Sequence, residues 1–294
     1  MKFKVLYNPL AGSNKQAGLD KALAALMPDD ELDFQDVTEI NYDELFAKID
    51  HQTAILLAGG DGTINRFIND TDKYDYKNSV WYYACGSGND FAKDIGLNPG
   101  EAPVCIDKYL KNLPTVTVKG KSYKYINGVG FGIDGYCCEV ADKLKADGKA
   151  VNYTSIAIKG LLFHFKPKTA TVFVDGKKKY TFKKVWIAPT MVGRYYGGGM
   201  MPTPEQDRLG ENLSTCLMFG KGRIGTLMLF PKIFKGEHLK NESAAMLLTG
   251  KEIVVQFDTP CALQIDGETI LDVSEYRTTS ASFVPRVLKE DDYE

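Results

Sequence analysis

The chain is poor in the residues that announce metal or disulfide chemistry. Only three histidines occur in 294 residues, His51, His164 and His238, and none has a ligating partner at helical spacing. The six cysteines include no Cys-x-x-Cys pair. Their scatter argues against a zinc site and a disulfide framework, and for free thiols in a reducing compartment. Charge of one sign is missing as well. With 36 Lys and Arg against 38 Asp and Glu, the net charge of -2 offers no polycation for nucleic acid. Long apolar runs are also absent. Nothing approaches the roughly 18 uncharged residues of a transmembrane span, and the opening "MKFKVLYNPL" lacks the apolar core of a signal peptide. The expected location is the cytoplasm, with any lipid met peripherally at the inner membrane surface.

The apolar residues that are present are arranged in two textures. Up to about residue 115, strands and helices alternate. Strands are expected at 3–8, 31–37, 53–58 and 79–85. Helices are expected at 15–26, at 41–49 behind an Asn41 cap with Glu44 three residues on, and after Gly62. That order implies a parallel sheet covered by helices. Beyond Thr115 the pattern alternates and turns on glycine. Asp175-Gly176 separates two alternating runs, and "EIVVQFDTPCALQIDGETI" reads as strand, turn, strand. The second half is expected to be an antiparallel β-sandwich or barrel-like domain with helical insertions near 139–162 and 225–238. The fold class is thus α/β plus β, with domains at 1–115 and 116–280. Lys177-Lys178-Lys179 and Lys183-Lys184 read as a solvated hairpin, with a membrane-facing patch as the sharper alternative.

Three loops sit where strands of the first half end and helices begin. "ILLAGGDGTIN" (55–65) leaves a buried strand through Gly59-Gly60-Asp61-Gly62-Thr63. Glycines let a backbone approach a ligand, and successive N–H groups before a helix favour an anion. Asp61 would repel phosphate unless a cation intervenes, which points to a nucleotide with Mg²⁺; a tight turn with a helix-capping Asp is the plain alternative. "YNPLAGSNK" (7–15) and "ACGSGNDFAKDIG" (84–96) are the other two loops, and the latter brings Asp90 as a second carboxylate. In open α/β sheets ligands bind at the carboxyl ends of strands, an edge that Thr38 would also line. Gly-x-Gly-x-x-Gly and Gly-Lys-Ser/Thr are absent from these loops, against a hydride-transfer or P-loop site.

In order and spacing, "YNPLAGSNK", "GGDGTIN" and "GSGNDFAKDIG" resemble the diacylglycerol kinase catalytic domain family, which includes bacterial soluble lipid kinases and is related to sphingosine kinases. "NGVGFGIDG" (127–135), "YYGGGMMPTP" (195–204), "FPKIFKGEH" (230–238) and "IDGE" (265–268) extend the likeness over nearly the whole chain. The resemblance implies an NAD kinase-like N-terminal nucleotide domain, a β-rich acceptor domain, and a last strand at about 280–290 that returns to the first domain. It implies transfer of the ATP γ-phosphoryl group to a lipid hydroxyl, most simply diacylglycerol, with Mg²⁺. Asn8, Pro9, Gly12, Thr38, Gly60, Gly62, Thr63, Asn65, Ser87 and Asn89 would then hold the nucleotide. Asp61 and Asp90 would hold the active-site metal. Asp266 and Glu268 resemble the catalytic acidic pair, one of them taking the lipid proton, with Asp61 also catalytic. By its residues alone, Asp266-Gly267 reads as a hairpin turn. Bacterial members carry an Asp-Gly pair after Gly-Gly-Gly-Met that binds a structural Mg²⁺. Here "PEQDRLGENLSTCLM" (204–218) has Asp207 and Glu211 in an altered register, which leaves that metal open.

The expected partners are a lipid substrate and a second copy of the chain in a homodimer, with no nucleic acid. "VNYTSIAIKGLLFHF" (151–165) and "IGTLMLFPKIF" (224–234) read as helices packed on a sheet, or as walls of a lipid cleft. Two rivals stay open: an NAD kinase-like enzyme, which shares Gly-Gly-Asp-Gly-Thr, and a nucleotide- or lipid-binding regulator that has lost catalysis.

Overall fold

A computed structural model describes residues 1–9 and 16–284. Gly12 and the expected returning segment from residue 285 onward lie outside the described residues. The chain first forms β1 (Lys2–Tyr7), α1 (Gln16–Leu26), β2 (Glu31–Asp36), α2 (Tyr42–Lys48), β3 (Ala54–Gly59), α3 (Asp61–Asp70), β4 (Val80–Ala84), α4 (Asp90–Ile95), β5 (Val104–Cys105) and α5 (Asp107–Leu110). Strands β2-β1-β3-β4 are parallel, and β5 closes the sheet antiparallel to β4. The two-residue β5 is too short for any alternation to show, so sequence patterning misses it. Alternate residues go to opposite faces, as the pleat requires. Leu6, Ile55, Leu57 and Tyr82 bury with Ile64, Phe67 and Phe91, whereas Val5, Leu56 and Ala58 bury with Leu19 and Leu23 of α1. Helix α2 starts as its sequence requires: the Asn41 side chain accepts from the Asp43 and Glu44 amides.

The second half builds a ten-stranded antiparallel sheet. Its elements are β6 (Thr115–Val118), β7 (Lys121–Lys124), β8 (Gly128–Gly132), α6 (Ile133–Ala146), α7 (Tyr153–Lys159) running into a π turn at Gly160–His164, β9 (Lys168–Val174), β10 (Lys178–Val185), β11 (Ile187–Met191), β12 (Leu213–Met218), α8 (Arg223–Leu229), 3₁₀ turns at Phe230–Lys235 and Glu237–Lys240, β13 (Ala245–Gly250), β14 (Glu252–Ile265) and β15 (Glu268–Thr279). Val129, Phe131, Leu263 and Tyr276 turn into one core with the inner faces of β6, β9 and β12. Ile133, Leu161, Leu229 and Ile233 pack onto the opposite face, against Ile187 and Met191. Three of the five residues of strand β8 are glycine, and two of them lie tight against the paired strand β11. A Cβ on Gly132 would sit 2.7 Å from the Ile187 Cα, and one on Gly130 2.6 Å from the Pro189 Cα. The β9–β10 lysines are exposed on their hairpin. None of the six cysteines forms a disulfide. No helix among the described residues is long and apolar enough to cross a membrane.

Candidate active site

The two sheets meet where β3, β4 and the β14–β15 turn end. The turn has two residues, Asp266 and Gly267, at φ 46° and 93°. Both are left-handed, as a type I′ hairpin demands. The hairpin reading of Asp-Gly is therefore correct, and it aims the carboxylate. Asp266 Oδ1 accepts from the amides of Asn127 (2.8 Å) and Gly128 (2.9 Å). Its Oδ2 accepts from the Ile126 amide (2.6 Å) and from Asn65 Nδ2 of α3 (2.8 Å). Burial raises the Asp266 pKa above the ordinary carboxylate value, while these four donors pull it back. Glu268, two residues on, is different. Its side chain is 59% exposed, and Arg66 Nη2 of α3 stands 4.0 Å from Oε1.

Asp61 opens α3 and closes a neighbouring turn. Its carboxylate accepts from the amides of Asp90 (2.9 Å) and Phe91 (2.8 Å), which start α4, and from Asn127 Nδ2 (3.0 Å). An anion at a helix N-terminus is stabilised there by the orphan amides. Asp90 in turn accepts from Gly198 N (2.8 Å) and Gly199 N (2.6 Å), in the loop after β11. Burial first, and the Asp61 charge second, push the Asp90 pKa up to about 7. The two carboxylates face one space: a Cβ on Gly88 would lie 3.3 Å from Asp61 Oδ2 and 3.9 Å from Asp90 Oδ2. A like-charged pair of this kind fits a hard divalent cation that draws its remaining ligands from phosphate and water. Protein ligands alone do not complete such a site, since no group of three His, Cys, Asp or Glu among the described residues is placed to hold a metal.

The glycines of these loops also let the loops approach one another. Gly59, Gly60, Gly62, Gly86 and Gly88 are all absent from the positive-φ residues; the left-handed residue here is Asn89, at φ 53°. Gly60 and Gly86 are needed for closeness. A Cβ on Gly86 would lie 2.7 Å from Gly60 N, so the β3–α3 and β4–α4 loops touch backbone to backbone. Asn89 holds that contact, accepting from Gly86 N and donating to Gly86 O. Thr63 folds back over Gly59, where a Cβ would meet its own Cβ at 2.7 Å. Gly62 alone in its loop has open space, with nothing within 4 Å of a Cβ. Thr38 and Ser87 are exposed, and the Thr38 hydroxyl and amide both donate to Asp36 Oδ1. Asn8 and Pro9 follow β1 at the same sheet edge.

Sequence reasoning quoted the segment that starts at Asn127 but gave it no role, and it joins these groups. Ile126, Asn127 and Gly128 give their amides to Asp266, Asn127 also reaches Asp61, and Arg208 reaches both Asn127 Oδ1 (2.9 Å) and the Ile126 carbonyl. Arg208 Nε also pairs with Asp94 Oδ2 at 2.6 Å, and Arg194 Nε with Asp94 Oδ1 at 2.7 Å. Asp94 and Arg208 are nearly inaccessible, at 2% and 7% side-chain exposure. The 204–212 loop, which leads into β12, is thus held by a guanidinium. The two acids singled out there do not fit a structural metal: Asp207 caps Leu209 N at 2.9 Å, and Glu211 pairs with Lys251. Lys93 and Arg194 flank the Tyr195 ring at 4.5 and 5.4 Å, placing two cations beside the Asp90 loop. Nothing in their spacing marked them.

Comparison with known proteins gives a consistent picture. A diacylglycerol kinase catalytic domain model matches residues 2–119, and a YegS C-terminal NAD kinase beta sandwich-like domain model matches residues 127–289. A diacylglycerol kinase of Mycobacterium tuberculosis is 25% identical over 194 residues, covering 64% of this chain and 62% of that protein. The chain therefore spans about three fifths of that relative. A Bacillus subtilis diacylglycerol kinase is 23% identical over 222 residues, 73% of this chain and 70% of its own. Among solved structures, a diacylglycerol kinase from Bacillus anthracis aligns at TM-score 0.60 with 18% identity, over 95% of this chain and 93% of that one. A second crystal structure from that organism aligns at TM-score 0.66 with 20% identity over the same shares.

Proposed function

The chain belongs to the diacylglycerol kinase catalytic-domain family, and on that premise we propose that it is an ATP-dependent lipid kinase whose acceptor is the free hydroxyl of diacylglycerol. The new bond joins the acceptor oxygen to the γ-phosphorus, the bridging bond to the β-phosphate breaks, and phosphatidic acid and ADP leave. Phosphoryl transfer asks for positioning, charge neutralisation and an acceptor for the hydroxyl proton.

The observation that carries the assignment is the asymmetry of the acidic pair. Asp266 has four donors on its carboxylate, while Glu268 stands exposed with a cation at 4.0 Å. Glu268 takes the proton, and Asp266 positions the turn that presents it. The nucleotide lies over the ends of β1, β3 and β4, along Asn8, Pro9, Gly12, Thr38, Gly60, Gly62, Thr63, Ser87 and Asn89. Asn65 serves the same site by holding Asp266. Asp61 and Asp90 would hold Mg²⁺, which neutralises phosphate charge when bound. The same reading divides the chain into a nucleotide domain over 1–115 and an acceptor domain over 116–280.

The test is transfer of labelled γ-phosphate from ATP to diacylglycerol, monoacylglycerol, sphingosine, ceramide, phosphatidylglycerol and NAD. Labelled phosphatidic acid is the expected result. Label in NAD would move the chain to the rival chemistry, and ATP binding with no labelled product would leave a regulator.

A further inference from the structure

The two apolar stretches of the sequence are each split by the fold. Their inner residues, among them Ile156, Leu161, Leu229 and Ile233, belong to one buried core. Their outer residues do not. Phe163 is 69% exposed, Ile224 and Met228 73%, Phe234 46% and Ile158 42%. The π turn that ends α7 packs on α8, with Arg223 donating to the Leu161 carbonyl at 2.8 Å, and both segments sit on the same core, so these exposed side chains belong to adjoining segments of one layer. Scattered surface apolar residues need no explanation, but five large ones on two adjoining segments do.

Their charge environment selects the partner. Residues 151–166 and 221–236 contain Lys159, Lys166, Lys221, Arg223, Lys232 and Lys235 and no Asp or Glu, in a chain whose net charge is -2, and Glu237, the next residue, pairs with Lys240 at 3.1 Å. Lys159, Lys166, Lys232 and Lys235 are exposed. Apolar tips ringed by lysine match an anionic bilayer, where the tips enter the acyl boundary and the ammonium groups meet lipid phosphate. The face is also connected to the site. Helix α7 packs on α6, and Asp142 of α6 accepts from the hydroxyl of Thr269 at 2.7 Å, the residue after Glu268.

We infer that the outer face of α7, its π turn, α8 and the following 3₁₀ turn docks this protein on an anionic lipid bilayer. The inference deepens the kinase reading by naming the surface from which the acceptor is taken, and its test needs no turnover. Co-sedimentation with vesicles of phosphatidylcholine, with and without phosphatidylglycerol, should show binding that rises with the anionic fraction and falls with salt. Phe163→Ser with Met228→Ser should weaken partition at least tenfold, and Lys232→Glu with Lys235→Glu should remove the anionic dependence. Both double variants should keep the wild-type urea midpoint. On a short-chain, water-soluble diacylglycerol they should turn over within twofold of wild type. Vesicle binding without any phosphorylation would leave the docking face standing and remove the kinase. Wild type that ignores vesicles, variants that bind them unchanged, or a concentration-dependent dimer that the same substitutions dissolve would each overturn the inference.

Discussion

Replacing each member of the acidic pair by its amide separates positioning from proton transfer. In Asp266→Asn, an oxygen at the Oδ1 position keeps the Asn127 and Gly128 amides, and the new NH₂ group faces Asn65 and the Ile126 amide. Asn65 can turn its own amide over and accept. Ile126 N–H is then the orphan, at about 1–3 kcal/mol, and two charge-assisted bonds become neutral, at about 1 kcal/mol together. Relief of the burial penalty on the ionised carboxylate works the other way. A loss of about 2–3 kcal/mol follows. In Glu268→Gln the exposed partner at 4.0 Å contributes little, and stability should change by under about 0.5 kcal/mol. Turnover should fall about 10²–10⁴-fold, or roughly 3–5 kcal/mol of barrier. Urea unfolding followed by tryptophan fluorescence suits the question, since Trp81 lies in the first sheet and Trp186 beside the second. Glu268→Gln with turnover within tenfold of wild type would place the proton acceptor elsewhere. Asp266→Asn with an unchanged midpoint would refute the hydrogen-bond accounting.

Gly86→Ala should drive its loop from Gly60 and destabilise by about 2 kcal/mol or more, whereas Gly62→Ala should hold or raise stability by up to about 1 kcal/mol and weaken ATP binding at least tenfold, both read by thermal melts and calorimetry. Arg208→Met strips one cation from buried Asp94 and should cost about 3 kcal/mol in urea; chelation by EDTA should leave the wild-type melting temperature unchanged, because the 204–212 loop is tied by that arginine. Asp134 is buried without a hydrogen bond to either oxygen, and burial pushes its pKa up to about 6. The folded state then binds the extra proton, so this group makes stability fall as pH rises from about 4 to about 6. His238, pushed by burial down to about 4, makes stability rise over an overlapping window. The difference between wild type and Asp134→Asn isolates the first effect: the variant should gain stability at pH 8 by an amount that vanishes near pH 4, measured as the shift in urea midpoint.

The parts of the fold that were legible are those set by neighbours in the chain. Asn41 with Glu44 announced the start of α2, Asp175-Gly176 and Asp266-Gly267 announced hairpins, and the unbroken apolar run at 54–58 announced a central strand. Asp61 and Asp90 stood out because each sits in a glycine-bearing turn where a carboxylate is conspicuous, whereas Asp266 stood out only through the family resemblance, its residues alone reading as a hairpin turn. Their partners did not. The Gly198 and Gly199 amides lie 108 and 109 residues from Asp90, Asn127 lies 66 from Asp61, and Arg208 lies 114 from Asp94. An amide or an arginine carries no mark of such a pairing until the fold supplies the neighbour. The close approach of Gly60 to Gly86 was likewise illegible, because a glycine in sequence does not declare which backbone it will meet.

The seam has a mechanical consequence. Asn65 to Asp266, Asn127 to Asp61, Gly198 and Gly199 to Asp90, and Arg194 and Arg208 to Asp94 all cross from one sheet's elements to the other's. They act like rivets spread along a joint, and swinging the halves apart would shear every one, with charged ends left behind. Any opening that admits a substrate must therefore come from bending of loops on a stiff frame. On the kinase reading proposed above, the separation between the nucleotide edge and Glu268 would then be set at folding rather than by a swing of the two halves.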